Sequence, residues 1–151
     1  MDKKNLLEKV RSKYILIQIL DNLNKIRLLK ISNYNKKLQK LYDIKIEDYK
    51  QESFKIILEI FPLEKQGGKF INIRKGYESH FKIYFNNNRK EVQTQKVYKK
   101  DKVYKIKVII DYKNNSFSGL FNGCKVIEKI KFIKFNRNDI KNMNLMFNGC
   151  S

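Results

Sequence analysis

The tetrapeptide Phe-Asn-Gly-Cys occurs at 121–124 and again at 147–150. Self-similarity at a fixed period of roughly 20–50 residues marks units that cannot bury an apolar face alone and do so by stacking on one another. The likeness extends upstream, where Ser118-Gly119-Leu120 precedes the first Phe and Asn144-Leu145-Met146 the second. Phe121 and Phe147 are therefore expected to close the inner face of successive coils. Gly123 and Gly149 suit a backbone position of positive φ at the end of a helical turn. Cys124 and Cys150 are expected to stack as small buried thiols. A redox or metal pair is the alternative, because equivalent positions of adjacent coils lie about one strand spacing apart.

Between the two copies runs Ile127-Glu128-Lys129-Ile130-Lys131-Phe132-Ile133-Lys134-Phe135. Ile127, Ile130 and Phe132 fit the apolar positions of the leucine-rich-repeat pattern L-x-x-L-x-L-x-x-N, with Phe135 where Asn is usual. This predicts a short strand with Ile130 and Phe132 buried and Lys129, Lys131 and Ile133 outward, parallel to a strand ending near Ile110. The stretch Asp139 to Ser151 resembles the repeat of BspA-like leucine-rich-repeat proteins, whose motif has the form N-M-x-x-M-F-x-x-C-S. Asn142, Met143, Met146, Phe147, Cys150 and Ser151 match it. In the first copy Phe117 and Leu120 replace the two methionines and Lys125 the Ser, a degeneracy that suits a capping coil. The resemblance covers about residues 113–151. It implies protein–protein or surface-adhesion roles without catalysis, in a family abundant in anaerobic protists and bacteria. Because about three repeats are normally needed to bury such a core, the reading is the truncated start of a solenoid. Its open end, at Met143, Met146 and Phe147, is expected to fray or self-associate.

Upstream, apolar residues from Ile15 to Leu41 recur in steps of three and four, the pattern of helices with one buried face. Asp21-Asn22, Asn24, Asn33 and Asn35 interrupt that pattern as caps or turns do. Two or three short helices follow, with another from about Glu47 to Ile60, its acidic residues near the N-terminus and Pro62 as its stop. Residues 62–69, with Gly67-Gly68, read as a linker. Beyond it the period becomes two: Phe81, Ile83 and Phe85, then Tyr104, Ile106, Val108 and Ile110, mark strands, and Val97-Tyr98 a shorter one. The fold class is therefore α+β: a helical region over 1–61, a linker over 62–69, a small antiparallel β element over 70–112, and leucine-rich-repeat-like coils over 113–151.

The segment Tyr14 to Leu23, followed by Arg27 to Leu38, is similar to an F-box, a three-helix module that docks on a ubiquitin-ligase adaptor. Ile19, Leu20 and Leu23 match its first helix, Leu28 and Leu29 its second, and Leu38 with Leu41 its third. The Leu-Pro that normally opens an F-box is replaced by Ser12-Lys13. The resemblance implies adaptor contacts from Ile15, Ile19, Leu20, Leu28, Leu29 and Leu38. A plain helical cap is the alternative reading of the same pattern.

The net charge of +19 raises nucleic acid as a partner. Yet Arg, whose planar fork reads bases and clamps phosphates, occupies only positions 11, 27, 74, 89 and 137. The chain has no Ala or Trp and one Pro, amid abundant Lys, Asn, Ile, Tyr and Phe. These are the residues of A/T-rich codons, so an AT-rich genome accounts for the lysines and leaves weak, sequence-blind nucleic-acid binding. His80 is the only histidine, too little for a zinc triad or a Cys–His dyad, and Gly67-Gly68 lacks a phosphate-loop context. No catalytic residue, cofactor or metal site is expected. No apolar run reaches the ~18 residues of a membrane span, and no signal-peptide pattern is present, which places the chain in the intracellular space. The expected function is non-enzymatic protein–protein interaction, as a substrate receptor pairing an F-box-like region with leucine-rich repeats. The alternatives are a lysine-rich nucleic-acid-binding protein and a fragment of a surface-adhesion protein.

Overall fold

The computed structural model describes residues 12–64 and 66–150. Ser151, the last position of the repeat motif, lies outside the described residues. The chain divides into two compact units, Met1–Glu52 and Ser53–Ser151. In the first, α1 (Lys13–Leu20), α2 (Lys25–Ser32) and α3 (Lys36–Leu41) each begin at a side chain that accepts a backbone N–H from further along: Ser12 from Ile15, Asn24 from Arg27, Asn35 from Leu38. These caps satisfy donors that a helix leaves unpaired at its N-terminus. Leu16, Leu20 and Leu38 form the buried centre, flanked by Leu23, Leu28, Ile31, Leu41 and Tyr42. A fourth helix, α4, spans Ile46–Phe54. Asp48 in its first turn accepts the Lys45 N–H at 2.9 Å and the Lys25 ammonium at 2.7 Å. The Lys25 contact leads the interactions that lower its carboxyl below the ordinary value.

The helix expected to reach Ile60 stops at Phe54, and Ile56–Pro62 is strand β1. The stretch Ile-Ile-Leu-Glu-Ile-Phe is rich in β-branched isoleucine, which loses side-chain freedom in a helix and fits a pleated sheet. The segment is buried at every second residue, Ile56, Leu58, Ile60 and Pro62. In the segment 62–69, expected as a linker, the described residues 62–64 and 66–69 are built into the fold: Pro62 closes β1, the Leu63 N–H donates to Val126 O at 2.8 Å, and Gly68–Lys69 form β2.

The remaining strands are β3 (Phe81–Phe85), β4 (Lys96–Val97), β5 (Ile106–Ile110) and β6 (Ile127–Lys134). β2 pairs with β4, while a four-stranded sheet runs β3-β5-β1-β6, antiparallel throughout. Register aligns Leu58 with Val108 on one side and Phe132 on the other, and Ile83 with Val108. One face of the sheet thus carries Ile56, Leu58, Ile60, Phe81, Ile83, Ile106, Val108 and Ile110, all buried in one cluster with Phe70, Ile71, Phe117, Leu120, Phe121 and Met146.

This corrects the reading of residues 127–135. They do form a strand, but it pairs antiparallel with β1 and takes no part in a parallel stack. β6 and β5 run in the same direction, with β1 between them. Lys129 and Lys131 are exposed as expected, but Ile127 and Ile130 are half-buried and Phe132 is 39% exposed. The physical reason is position: β6 is an edge strand, so its core-facing side chains are covered from one side only. No solenoid of repeating parallel strands forms among the described residues.

Leu58, wholly buried at the centre of the sheet, sets a test. Leu58→Ala is expected to cost about 2–5 kcal/mol of stability through lost transfer energy and the cavity left behind. Phe132→Ala at the edge is expected to cost well under half as much. Chemical denaturation of the two variants, side by side, checks the ranking.

Candidate interaction surface

The two copies of the repeat have the same local structure. In each, backbone N–H groups donate back along the chain in i-to-i+3 turns: 120 to 117, 122 to 119 and 124 to 121 in the first, 146 to 143, 148 to 145 and 150 to 147 in the second. Each is thus a run of turns rather than a helix. Positive φ falls at Gly119 and Gly123 and again at Leu145 and Gly149, with values of 67°, 68°, 54° and 67°. Gly123 and Gly149 hold the conformation expected of them. Leu145, where the first copy has Gly, bears the steric cost of the left-handed region.

Even-numbered amides close the turns, which leaves the odd-numbered ones free to point along the stack. Phe117, Gly119, Phe121 and Gly123 donate to the carbonyls of Asn142, Asn144, Met146 and Asn148 at 2.8, 3.0, 2.9 and 2.8 Å. This parallel ladder fixes the copies one above the other at a constant offset along the chain. Phe121 and Phe147 stack at 5.5 Å between ring centroids and 12° between planes. The Asn148 side-chain amide reaches Asn122 Oδ1 at 3.3 Å. Both thiols are free: Cys124 is buried, and Cys150, half-buried, donates to the carbonyl of Phe121. Burial, with a smaller contribution from Cys150, pushes the Cys124 thiol up to about 11.

The stack has two different ends. At the first copy the outward carbonyls of Ser116, Leu120 and Asn122 are held: Asn72 donates its N–H to Leu120 O at 2.7 Å and its side-chain amide to Asn122 O at 2.7 Å, as well as to the turn carbonyl of Gly119 at 2.9 Å. The Asn114 side chain donates to Ser116 O. At the second copy the equivalent amides of Met143, Leu145, Phe147 and Gly149 meet no acceptor among the described residues. Their side chains are uncovered too. Phe117 and Phe121 are buried, whereas their counterparts in the second copy, Met143 and Phe147, are 44% and 50% exposed. Met146 alone keeps the burial of its counterpart Leu120, because it reaches the sheet. Phe132, Phe135, Met143 and Phe147 line an apolar cleft of about 210 Å³ at this end.

Arg137 holds the frame of the stack and escaped the sequence reading. Its side chain is 1% exposed and makes a two-pronged pair with Asp139 at 2.6 and 3.0 Å. It also donates to the carbonyls of Tyr112 and Asn114, and lies over the Phe54 ring at 5.6 Å. It thus ties the approach to the first copy to the approach to the second. The signal lay in the residue type: a rare arginine among lysines, with an acid close behind it in the chain.

Of the six residues implied as adaptor contacts, Leu20, Leu29 and Leu38 are buried within the helical unit and Leu28 is half-buried. Only Ile15 and Ile19, one turn apart on α1 beside the exposed Tyr14, face outward. His80 stacks on Tyr112 at 4.8 Å with its Nδ1 3.7 Å from Asp111. No cluster of three or more His, Cys, Asp or Glu that could hold a metal occurs among the described residues, nor does a helix long and apolar enough to cross a membrane. Comparison with protein-family models, curated proteins and solved structures returns no match.

Arg137→Met, which leaves the carbonyls of Tyr112 and Asn114 without this donor and Asp139 without its partner, is expected to lose about 1–3 kcal/mol, the cost of stranded acceptors. Arg137 holds the Asp139 carboxyl below its ordinary value. Its contribution to stability is therefore complete above the unfolded value of about 4 and declines as pH falls through the lowered folded value. Denaturation midpoints of Asp139→Asn and the parent chain should converge on acidification. In the native state at pH 8, iodoacetamide should modify Cys150 first and reach Cys124 only on unfolding, as mass spectrometry of the digested protein would show.

Proposed function

We propose that the chain is a non-enzymatic polypeptide-binding module whose recognition surface is the uncovered end of the repeat stack. One observation carries this reading: the positions that the first copy buries at Phe117 and Phe121 stand exposed in the second at Met143 and Phe147, around an apolar cleft beside Phe132. Contiguous exposed apolar surface of this kind marks interaction sites. Leu145 adds support, since it keeps a mostly exposed side chain at a positive φ that Gly would take at no steric cost. A strained residue retained at the surface points to a contact its side chain makes. The two stacked copies also support the start of a leucine-rich-repeat-like solenoid of the BspA kind, and the three capped helices are compatible with an F-box-like unit. In that unit Ile15 and Ile19 are the adaptor contacts, and the working setting is intracellular.

Nucleic acid is the second reading, favoured by the net charge of +19. Exposed lysines are spread over α2, α3, β3, β5 and β6, at Lys25, Lys30, Lys36, Lys82, Lys107, Lys129 and Lys131. Of these, Lys82, Lys107, Lys129 and Lys131 share the sheet face away from the core, which supports this reading, while Glu59 in their midst and the scarcity of arginine weigh against a built nucleic-acid face.

Affinity capture from nuclease-treated extract of the source cell, at physiological salt, separates the readings. The wild-type chain is expected to retain proteins that Phe147→Asp loses, while Ile15→Asp/Ile19→Asp loses a different set. Circular dichroism should show both variants folded. Nucleic-acid binding should fade between about 50 and 200 mM salt, as counterion release dictates. Tight binding to one nucleic-acid sequence, surviving physiological salt, would overturn the proposal.

A further inference from the structure

We infer that the open end of the stack takes one more coil of the same build, carried by another polypeptide, in parallel register with its backbone carbonyls toward Met143, Leu145, Phe147 and Gly149. The inference rests on the reading of this end as the recognition surface and specifies what it recognises. The first copy, seated against the second, is the template. Its odd-numbered amides at Phe117, Gly119, Phe121 and Gly123 are all used by carbonyls of the second. The equivalent amides of the second copy repeat that array with nothing against them among the described residues. An apolar ligand without backbone would leave these donors unsatisfied, at a cost comparable to a lost hydrogen bond each. An incoming segment must therefore offer carbonyls at alternate residues, which a helix does not; an extended strand does so as well, but only a coil of the same build repeats the left-handed positions at Leu145 and Gly149 that set the spacing of these four amides.

Side-chain requirements come from the same template. Phe147 lies on Phe121 in a parallel stack, so an aromatic residue of the incoming coil meets the free face of Phe147. Gly123 and Gly149 both hold a positive φ, 68° and 67°, which glycine takes at no steric cost, so in a coil of the same build the incoming residue two beyond the aromatic is glycine. The recognised chemistry is thus an apolar residue, Phe, any residue, then Gly, in a turn-rich chain.

A second copy of this protein is a poor occupant. To dock head to tail it would have to offer the outward carbonyls of its first copy, and those of Ser116, Leu120 and Asn122 are already held by Asn114 and Asn72. Two open ends facing each other would set donors against donors. The net charge of +19 on each molecule opposes either arrangement.

The test uses the full chain, isotopically labelled, with a synthetic peptide of the sequence of residues 139–150 carrying Cys150→Ser. At peptide about tenfold above its dissociation constant, amide exchange at Met143, Leu145, Phe147 and Gly149 should slow about tenfold, while Asn144, Met146 and Asn148, already bonded within their turns, should not change. The same peptide joined to the C-terminus by a flexible linker, which supplies a roughly millimolar local concentration, should give the same alternating protection. Phe147→Asp or Gly149→Val in the peptide should abolish it in both formats. Unchanged exchange in the tethered format would overturn the inference. So would equal protection by the Phe147→Asp peptide, or protection of the same four amides that rises with protein concentration alone, which would make a second copy the occupant. Loss of these protections with Phe147-dependent protein capture intact would leave the broader reading standing; loss of both would remove it.

Discussion

Everything in the second unit depends on the burial of one strand from both sides. β1 is hydrogen-bonded to β5 along one edge and to β6 along the other, and its inner residues Ile56, Leu58 and Ile60 are essentially without solvent contact. Fully burying such side chains is worth about 1.5–3 kcal/mol each. Because β6 follows the first repeat copy and precedes the second, its pairing to β1 brings both ends of that loop over the same face of the sheet. Phe117, Leu120, Phe121 and Met146 then enter one core with the strands. The repeat stack is thus a layer laid on an antiparallel sheet, and its two copies share a foundation that does not repeat.

That arrangement explains why the stack is polar. A pair of identical coils floating free would expose acceptors at one end and donors at the other in equal measure. Here the acceptor end meets the segment containing Asn72, whose backbone and side chain together imitate the donors of a preceding coil. Arg137, fully desolvated and paired with Asp139, ties the two approaches by donating to the carbonyls of Tyr112 and Asn114. A Lys could not serve there, since it has no planar fork to span a carboxylate while also reaching backbone carbonyls. The donor end has no such closure among the described residues, and the apolar side chains around it are exposed for the same reason that those of the first copy are covered.

Much of the helical unit could be read from the chain directly. Asn24 and Asn35 act as caps where the apolar period breaks, because a short polar side chain that accepts an N–H is a local signal. The two-residue period of Phe81–Phe85 and Ile106–Ile110 likewise carried through to strands. The turn structure around Gly123 and Gly149 was legible as positive φ, since only the local backbone is involved. Misreading began where short apolar runs were ambiguous. Ile56–Pro62 follows an acidic helix start with no turn signal between, and periodicity alone does not separate a buried strand from a buried helix over so short a run. Placing Ile127–Lys134 in a parallel stack failed differently: the strand was right, but its partner lay far upstream, at Ile57 to Pro62.

The sequence by itself determined where helices begin, where strands alternate, and that residues 116–124 and 142–150 must adopt one conformation twice. Those are consequences of capping, of side-chain period and of glycine's tolerance for positive φ, all decided within a few residues. Tertiary structure decided which strand pairs with which, which apolar residues of the repeat are covered, and which end of the stack is closed. Phe121 and Phe147 open the same tetrapeptide, yet one is buried and the other half exposed. The difference is physical and nonlocal. The ladder amides of the first copy find carbonyls in the second, from Asn142 to Asn148, while those of the second find none among the described residues. No property of Phe-Asn-Gly-Cys could say which would be which.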